Sequence, residues 1–356
     1  MNERPLLRRY PTLRSLTPWL ELASLPTLVD RLAIDGRELW IKRDDLTSAE
    51  YGGNKLRKLE FILAEAQRRH AKRIITVGAS GSHHALATTL FAKKLGMEAT
   101  LVLFPQPLTP HVREVLLAAA TLGAEVRFTG RLATVPTALA AARIAHWNER
   151  AFVVPPGGSD PTGCLGYVNA GLELAEQIES GLLPEPEIIV AAAGTLGTAA
   201  GLAIGISLAG LRSHIRATRI TSRVITNDRV LRKLIADTAS LLQNRGVPAD
   251  AHDAIARVHL SHDQIGAGYG VRTEAGAAAA ASFEKIGIET DSTYSEKAAA
   301  DLLTIPPGRT VLFWHTLSAV TPPCDADAIT LLPPQFQRYL ESPVEPPAGN
   351  TNPNNV

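Results

Sequence analysis

Short apolar segments that alternate with Ala/Leu-rich segments constrain the fold of this chain more than any other feature. Runs of β-branched and apolar residues predict strands at residues 73–77, 99–104, 125–129, 152–154, 187–192 and 310–315. The Ala/Leu-rich stretches predict helices at residues 54–69, 84–95, 112–122, 134–146, 166–180, 199–209 and 274–286. This order is typical of an α/β fold with mainly parallel sheets covered by helices on both faces. Such sheets bind ligands beyond the carboxyl ends of their strands, so we expect the site in those loops.

Length and charge narrow the classes of protein to consider. A chain of 356 residues is too long for one small module and predicts about two domains. The 36 Lys and Arg residues nearly balance 35 Asp and Glu, which argues against nucleic-acid or acidic-membrane binding. The two cysteines, Cys164 and Cys324, give neither a disulfide framework nor a metal site. No apolar run is long enough to span a bilayer and no signal peptide is evident, so we expect a cytoplasmic enzyme without a metal.

Two lysines follow a pair of glycines in the segment 42–60, KRDDLTSAEYGGNKLRKLE. Lys55 stands at the start of a predicted helix and Lys58 comes three residues later, so both ammonium groups can reach one site. The positive end of the helix dipole disfavours the charged form of Lys55 and helps to make its amine nucleophilic. On spacing alone, a solvated helix face is the stronger interpretation.

The loop VGASGSHHA at residues 77–85 joins a predicted strand to a helix. Free backbone N–H groups at that helix start can bind an anion, and Ser82 adds a hydroxyl donor. The segment lacks the last glycine of the G-x-S-x-G nucleophile elbow, which makes a hydrolase a weak alternative. His83 and His84 are adjacent and should point to different sides of the helix, which argues against a two-histidine metal site. One of them is expected to be a packed helix histidine.

The segment AGTLGTAAG at residues 193–201 follows a predicted strand and opens a helix. Its backbone amides and threonine hydroxyls form a candidate phosphate cradle. The glycine spacing matches neither Walker A nor the dinucleotide fingerprint, which favours a monoester phosphate over a pyrophosphate. Gly201 and Gly205 have the alternative explanation of close helix packing.

Two loops carry tyrosines, GAGYGV at 266–271 and DSTYSEK at 291–297. Tyr269 lies between glycines, and Tyr294 directly precedes Ser295. In isolation, half-buried packing is the better explanation for both rings.

A nucleophilic lysine, an anion-binding loop and a phosphate cradle together meet the needs of a pyridoxal-phosphate enzyme. Over about residues 18–331 the chain resembles the 1-aminocyclopropane-1-carboxylate deaminase / D-cysteine desulfhydrase family, most specifically in KRDD and GGNKLRKLE. The resemblance implies fold type II, like the tryptophan synthase β subunit, with two three-layer α/β/α domains, and a homodimer. The smaller domain would span 53–164, and the larger would combine 1–52 with 165–340. Residues 341–356, rich in proline and asparagine, predict a disordered tail.

The resemblance also implies residue roles. Lys55 would bind pyridoxal 5'-phosphate covalently and shuttle the Cα proton of a small amino-acid substrate. The other implied cofactor contacts are Asn54, Lys58, His83, Gly194, Thr195, Leu196, Gly197, Thr198 and, at the pyridine nitrogen, Ser295. The implied substrate contacts are Ser82 at the carboxylate, His84, Tyr269, Tyr294 and Thr316, of which Ser82 and both tyrosines would be catalytic.

Ser295 favours one reaction within this family. A hydroxyl beside the pyridine nitrogen gives a weaker electron sink than a carboxylate, but a thiolate can leave through a shallower carbanion. Family deaminases carry Glu at this position and desulfhydrases Ser or Thr, and Thr316 is also desulfhydrase-like. We therefore expect a lyase that converts D-cysteine, or a related β-substituted alanine, into sulfide, pyruvate and ammonia. The alternatives are the cyclopropane-acid deaminase, an L-cysteate sulfo-lyase and a cofactor-binding homologue without catalysis; the absent G-x-G-x-x-G disfavours a nicotinamide enzyme.

Three segments depart from the family pattern. His83 replaces the usual Asn with a bulkier group that titrates near neutral pH in its ordinary state. Arg272 replaces a proline and would place a cation near the pocket, where it could recruit an acidic leaving group. Leu317 and Ser318 replace two glycines and would narrow the pocket.

Overall fold

The computed structural model describes residues 3–343, which form two sheets with flanking helices. The strands are β1 (Val29–Ile34), β2 (Arg37–Arg43), β3 (Arg73–Ala79), β4 (Glu98–Phe104), β5 (Glu125–Phe128), β6 (Phe152–Val154), β7 (Ile188–Ala193), β8 (His214–Arg219), β9 (Val258–Ser261) and β10 (Val311–His315). The α-helices are α1 (Pro5–Arg9), α2 (Leu13–Leu16), α3 (Asn54–Arg68), α4 (His83–Lys94), α5 (Pro110–Thr121), α6 (Val135–Ala145), α7 (Pro161–Glu179), α8 (Gly197–Ala209), α9 (Asp228–Gln243), α10 (Ala251–Ala256), α11 (Glu274–Glu284), α12 (Ser295–Leu303) and α13 (Pro334–Glu341).

The sheets are almost wholly parallel. The larger has the order β1-β2-β10-β7-β8-β9, and only its β1–β2 pair is antiparallel. The smaller has the order β5-β4-β3-β6 and is parallel throughout. The predicted α/β fold with mainly parallel sheets is therefore confirmed.

Chain continuity differs between the two sheets. The smaller sheet uses one continuous stretch of chain, whereas the larger takes β1 and β2 from before it and four strands from after it. The division at residues 53 and 164 stays a prediction. Of the predicted tail, Glu341 ends α13, and residues 344–356 lie outside the described part of the chain. Within residues 3–343, no helix combines the length and hydropathy needed to cross a membrane.

Helices α7 and α8 pack backbone against backbone. A Cβ on Gly171 would lie 2.8 Å from the Cα of Gly205, and one on Gly201 would lie 2.4 Å from the Cys164 carbonyl oxygen. Only glycine permits such an approach, so the close-packing explanation of Gly201 and Gly205 is confirmed. Helix α8 is apolar on nearly all sides because it is buried there.

A buried cluster of charges fixes helix α3. The Asp44 carboxylate accepts hydrogen bonds from Arg57 at 2.7 and 2.9 Å, from the Tyr167 hydroxyl at 2.6 Å and from the Trp314 indole N–H at 2.8 Å. Arg57 also donates to Glu173, at 2.8 Å for its shortest contact. These contacts join α3 to β10 and α7. Arg57 of the KRDD…RKLE motif thus acts in the fold, where it orients the helix that carries Lys55.

Candidate active site

A cavity of about 430 Å³ lies between the carboxyl ends of β3 in the smaller sheet and β7 in the larger. Its size is ordinary for a small-molecule site, and its position is the one that parallel sheets favour. The structure brings almost every predicted site residue to its wall: Asn54, Lys55, Lys58, Ser82, His83, His84, Gly194, Thr195, Leu196, Gly197, Thr198, Tyr269, Tyr294 and Thr316. Their individual roles stay predictions.

Lys55 lies in the first turn of α3, two residues after a glycine with a left-handed backbone conformation. Gly53 has φ +86°, and a Cβ there would lie 2.8 Å from the Thr316 carbonyl oxygen. The Lys55 amine lies 5.8 Å from the centre of the Tyr294 ring. Burial and the nearby charge of Lys58 lower the pKa of Lys55 to about 7. The amine is therefore substantially neutral near pH 7, as a nucleophile must be.

Lys58 is held at the other end of the cavity. It is 1% exposed, and burial lowers its pKa to about 8. Its ammonium group donates to the Gly157 carbonyl at 3.1 Å and to the Ser159 hydroxyl at 3.3 Å. The solvated-face interpretation of the two lysines is therefore wrong.

Ser159 completes a cluster of donors at the N-terminus of α8. Its hydroxyl lies 2.7 Å from that of Thr195 and accepts the Gly197 N–H at 3.2 Å. A Cβ on Gly197 would lie 2.6 Å from this hydroxyl and 2.8 Å from the Lys58 ammonium. Hydroxyls, a backbone N–H and a cation meet at a helix start, and this donor set fits a phosphate monoester. Sequence analysis missed Ser159, whose neighbours PPGG predict only a turn.

The loop before α8 has an unusual backbone. Leu196 has φ +69°, a conformation that costs a non-glycine residue energy and persists only where its surroundings enforce it. Asn54 donates from its side chain to the Thr198 hydroxyl at 3.1 Å, which joins the start of α3 to the start of α8. The two helix ends that carry the lysine and the phosphate cradle are thus directly linked.

Ser82 and His84 lie at the start of α4. The Ser82 hydroxyl caps the helix by accepting the Ala85 N–H at 3.2 Å. His84 is 2% exposed, and neither of its ring nitrogens has a hydrogen-bond partner within residues 3–343. Burial and the charges of Lys55 and Lys58 hold the pKa of His84 well below its ordinary value, so its ring is neutral.

His83 is hydrogen-bonded at both ring nitrogens. Nδ1 lies 2.6 Å from the Tyr51 hydroxyl, and Nε2 lies 3.0 Å from Nε2 of His111. Burial and His111 lower the pKa of His83 to about 3. The expectation that it titrates near neutral pH is therefore wrong, because the pocket excludes the water that would stabilise the cation. Sequence analysis missed Tyr51 and His111 as parts of this site, and no motif marks His111.

The two tyrosines face one another in the cavity. The hydroxyls of Tyr269 and Tyr294 lie 2.6 Å apart, and their rings are nearly perpendicular at 5.9 Å. Burial raises the pKa of Tyr269 to about 12, and that of Tyr294 also lies well above its ordinary value. Lys297 holds the first tyrosine loop by donating to the Ile265 and Gly268 carbonyls, each at 2.8 Å. The rings therefore present protonated hydroxyls to the cavity.

Asp291, to which sequence analysis gave no role, lines the cavity, whereas Ser295 lies behind it. The Ser295 hydroxyl donates to the Asp291 carboxylate at 2.7 Å and accepts the Asp291 N–H at 2.6 Å. Burial acts to raise the pKa of Asp291, but His83 and the hydrogen bonds from Ser295 and Tyr294 outweigh it and leave the pKa below its ordinary value. The cavity wall therefore carries a carboxylate here, with the Ser295 hydroxyl hydrogen-bonded to it.

Arg272 does not contribute a free cation to the cavity. Its guanidinium donates to both oxygens of the buried Glu296 carboxylate, at 2.8 and 2.9 Å, and the side chain is absent from the cavity wall. The hypothesis that Arg272 recruits an acidic leaving group is therefore wrong. Leu317 and Ser318 do line the cavity, and the Ser318 hydroxyl accepts the Gly52 N–H at 2.9 Å.

Comparisons with known proteins agree with this geometry. Residues 16–316 match the family described as pyridoxal-phosphate dependent enzyme. The D-cysteine desulfhydrase of Salmonella schwarzengrund (strain CVM19633) is 36% identical over 310 residues, which are 83% of this chain and 89% of that protein. That of Klebsiella pneumoniae (strain 342) is 35% identical over 305 residues, with the same 83% and 89% coverage.

Solved structures give the same result. An ACC deaminase homologue superposes with a TM-score of 0.75 at 30% identity and covers 93% of this chain and 100% of its own. Threonine deaminase isoform 2 of Solanum lycopersicum, at 17% identity and a TM-score of 0.58, covers 92% of this chain and 93% of its own and shares the fold. The donor set found here, a neutral lysine opposite a phosphate cradle, suits the cofactor of these proteins. The chain belongs to the pyridoxal-phosphate-dependent enzymes, in the 1-aminocyclopropane-1-carboxylate deaminase / D-cysteine desulfhydrase family that its motifs predict.

Proposed function

We propose that this enzyme is a carbon–sulfur lyase that eliminates sulfide from D-cysteine or a related β-substituted alanine, with pyruvate and ammonia as the other products. Relatives named D-cysteine desulfhydrase, aligned along most of the chain, support this substrate. One observation carries the chemistry: the amine of Lys55 has its pKa lowered to about 7 in a cavity whose far end is a phosphate-binding cluster.

Different residues of the cavity serve the cofactor, the substrate and the proton that is transferred. Pyridoxal phosphate, when bound, supplies the electron sink that makes the substrate's Cα–H bond acidic. Lys55 would hold the aldehyde of that cofactor and take the Cα proton, while Lys58 and the α8 N-terminus would hold the phosphate. Ser82 and the N-terminal N–H groups of α4 bind the substrate carboxylate. Tyr269 and Tyr294 form the opposite wall of the cavity and present protonated hydroxyls to it.

A lysine variant and a substrate panel test the proposal. Lys55→Ala should lose the visible absorbance of lysine-bound pyridoxal phosphate and all turnover, whereas Lys233→Ala, on an exposed helix face, should keep both. Pyruvate and sulfide should be assayed together with D- and L-cysteine, cysteate and β-chloroalanine. Wild-type protein that binds the cofactor but releases no sulfide from D-cysteine would overturn the proposal.

A second function has its own support. The Asp291 carboxylate on the cavity wall adds negative charge of the kind that would strengthen the electron sink for opening a cyclopropane ring. The ACC deaminase homologue is also structurally similar. Ammonia release from 1-aminocyclopropane-1-carboxylate, without sulfide from D-cysteine, would favour this deaminase function.

We also propose that the enzyme works as a cytoplasmic homodimer. Cys164 and Cys324 are both unpaired, which suits a reducing compartment. The side chains of Ile144 and Trp147, at the end of α6, are 71% and 81% exposed, and such apolar groups are candidates for burial against a second copy.

A further inference from the structure

Three side chains form a hydrogen-bonded row that leads from the cavity towards solvent. Tyr51 lines the cavity and is 2% exposed. Its hydroxyl lies 2.6 Å from Nδ1 of His83, whose Nε2 lies 3.0 Å from Nε2 of His111. His111 lies in the first turn of α5 and is only half-buried. The mechanism proposed above uses neither of these two contacts.

The chemistry of the row allows a proton to pass along it. A neutral imidazole can accept a proton at one ring nitrogen while it releases one from the other. If His111 donates from Nε2 to His83, and His83 donates from Nδ1 to Tyr51, every link is a satisfied hydrogen bond. The Tyr51 O–H is then the last donor of the row, on a residue that lines the cavity.

We propose that Tyr51, His83 and His111 form a proton relay that carries a proton from solvent to the sulfur leaving the substrate. This inference rests on the proposed function. In the elimination, the Cα proton passes to the Lys55 amine, the Cα–H electron pair forms the Cα–Cβ double bond, and the Cβ–S pair stays with the departing sulfur. As the Cβ–S bond breaks, Tyr51 donates its proton to that sulfur, giving H₂S, and is reprotonated by His83, His83 by His111, and His111 by water.

The groups around the row favour proton transfer through His83 without a lasting positive charge on its ring. Lys55, Asp291, Tyr294 and His111 face His83. Burial and His111 keep the His83 ring neutral, so it passes a proton on and does not hold one. Burial raises the pKa of Tyr51, and a tyrosine in that state gives up its proton readily only if a partner replaces it at once.

Comparing two leaving groups distinguishes a proton relay from hydrogen bonds that only support the structure. Proton transfer to sulfur assists its departure, whereas chloride leaves without a proton. His111→Ala should therefore slow sulfide release from D-cysteine about 10-fold or more, in line with the loss of general acid catalysis. Pyruvate formation from β-chloro-D-alanine should stay within about twofold of wild type, and added imidazole should restore the D-cysteine rate. His252→Ala, an exposed histidine on α10, is the control.

Tyr51→Phe provides a variant that keeps the ring and removes only the last donor. It should reproduce the selective loss with D-cysteine but resist imidazole rescue, because the missing group lies on the cavity side. Equal slowing of both substrates, or no slowing of either, would overturn the relay and leave Tyr269 and Tyr294 as proton donors.

Nuclear magnetic resonance of the cofactor-free protein tests the row without turnover. Two-bond ¹H–¹⁵N spectra report which ring nitrogen carries the proton, and His111→Ala should change the tautomer population of His83. An unchanged His83 would contradict the relay. Wild-type protein that fails to release sulfide while the two rings remain coupled would instead contradict the proposed function.

Discussion

Lys55 and Lys58 lie on one face of α3, yet their surroundings prepare them for different tasks. Burial lowers the pKa of both, to about 7 and about 8, but Asp160 and Cys164 act to raise that of Lys58. The first lysine can therefore be a neutral nucleophile while the second keeps more of the charge that a phosphate needs. The motif predicts the position of both side chains. It does not predict their pKa values, because these depend on burial by distant segments.

The lowered pKa of Lys55 makes the stability of the cofactor-free protein depend on pH. Between pH 7 and 10.5 the unfolded lysine carries a proton that the folded one lacks, so stability should rise with pH across this window and fall towards pH 7. Lys55→Met should make this rise shallower and leave the variant more stable than wild type at pH 7. Urea unfolding at four pH values measures the slope. A slope equal to that of wild type, with Lys233→Met as control, would argue against a buried neutral amine.

At the scale of elements, the sequence predicts six of the ten described strands, β3 to β7 and β10, and misses β1, β2, β8 and β9. Strands β3, β4, β7 and β10 are nearly continuous apolar runs and were predicted within about two residues. The hairpin of β1 and β2 carries charges on its exposed face, and polar residues interrupt the short strands β8 and β9, so no apolar run marks these four strands. Helix α9 was missed although its buried leucines recur with helical spacing and Asn227 caps it. That spacing could have found α9, and the Asp35-Gly36 turn could have found the hairpin of β1 and β2.

The anchor of α3 predicts a large stability difference between two arginines of that helix. Arg57→Met should lower the free energy of unfolding by about 3–5 kcal/mol, because it leaves Asp44 and Glu173 buried without their main partner. Arg68→Ala, which breaks an exposed pair with Glu65, should cost less than about 1 kcal/mol. Denaturant unfolding of the cofactor-free variants measures both. Equal losses would mean that the buried cluster does not anchor the helix.

At the scale of the whole molecule, the site is assembled from segments that local patterns cannot bring together. The motifs predicted which loops carry chemistry, and the family resemblance predicted that they meet. Ser159, Asp291, Tyr51 and His111 were missed as site residues because their roles arise from contacts with residues far away in sequence. Long-range contacts of this kind leave no periodic or spaced signature in a single sequence.

Because the phosphate cluster takes Lys58 from one side of the cavity and Thr195 and Gly197 from the other, the cofactor should stabilise the whole molecule. Pyridoxal phosphate at 100 times its dissociation constant should add about 2.7 kcal/mol to the free energy of unfolding. At equal concentration, pyridoxal without its phosphate should add far less, and Gly197→Ala should remove most of the difference by crowding Ser159 and Lys58. Gly130→Ala, where a Cβ meets only an ordinary contact, is the control. Thermal unfolding measures each, and equal stabilisation by both aldehydes would argue against the cluster.

The glycine contact between α7 and α8 sets a limit on how this enzyme can diversify. The two backbones are in contact there, and no side chain lies between them that could move aside. An added methyl at Gly171 or Gly205 would therefore displace the whole of α8. Because the loop of Leu196 precedes the other end of α8, a mutation far from the reacting atoms would shift the residues that hold the cofactor. Substitutions at residues that line the cavity, such as Leu317, can therefore change the substrate preference. The glycines at the contact between α7 and α8 have to remain glycine.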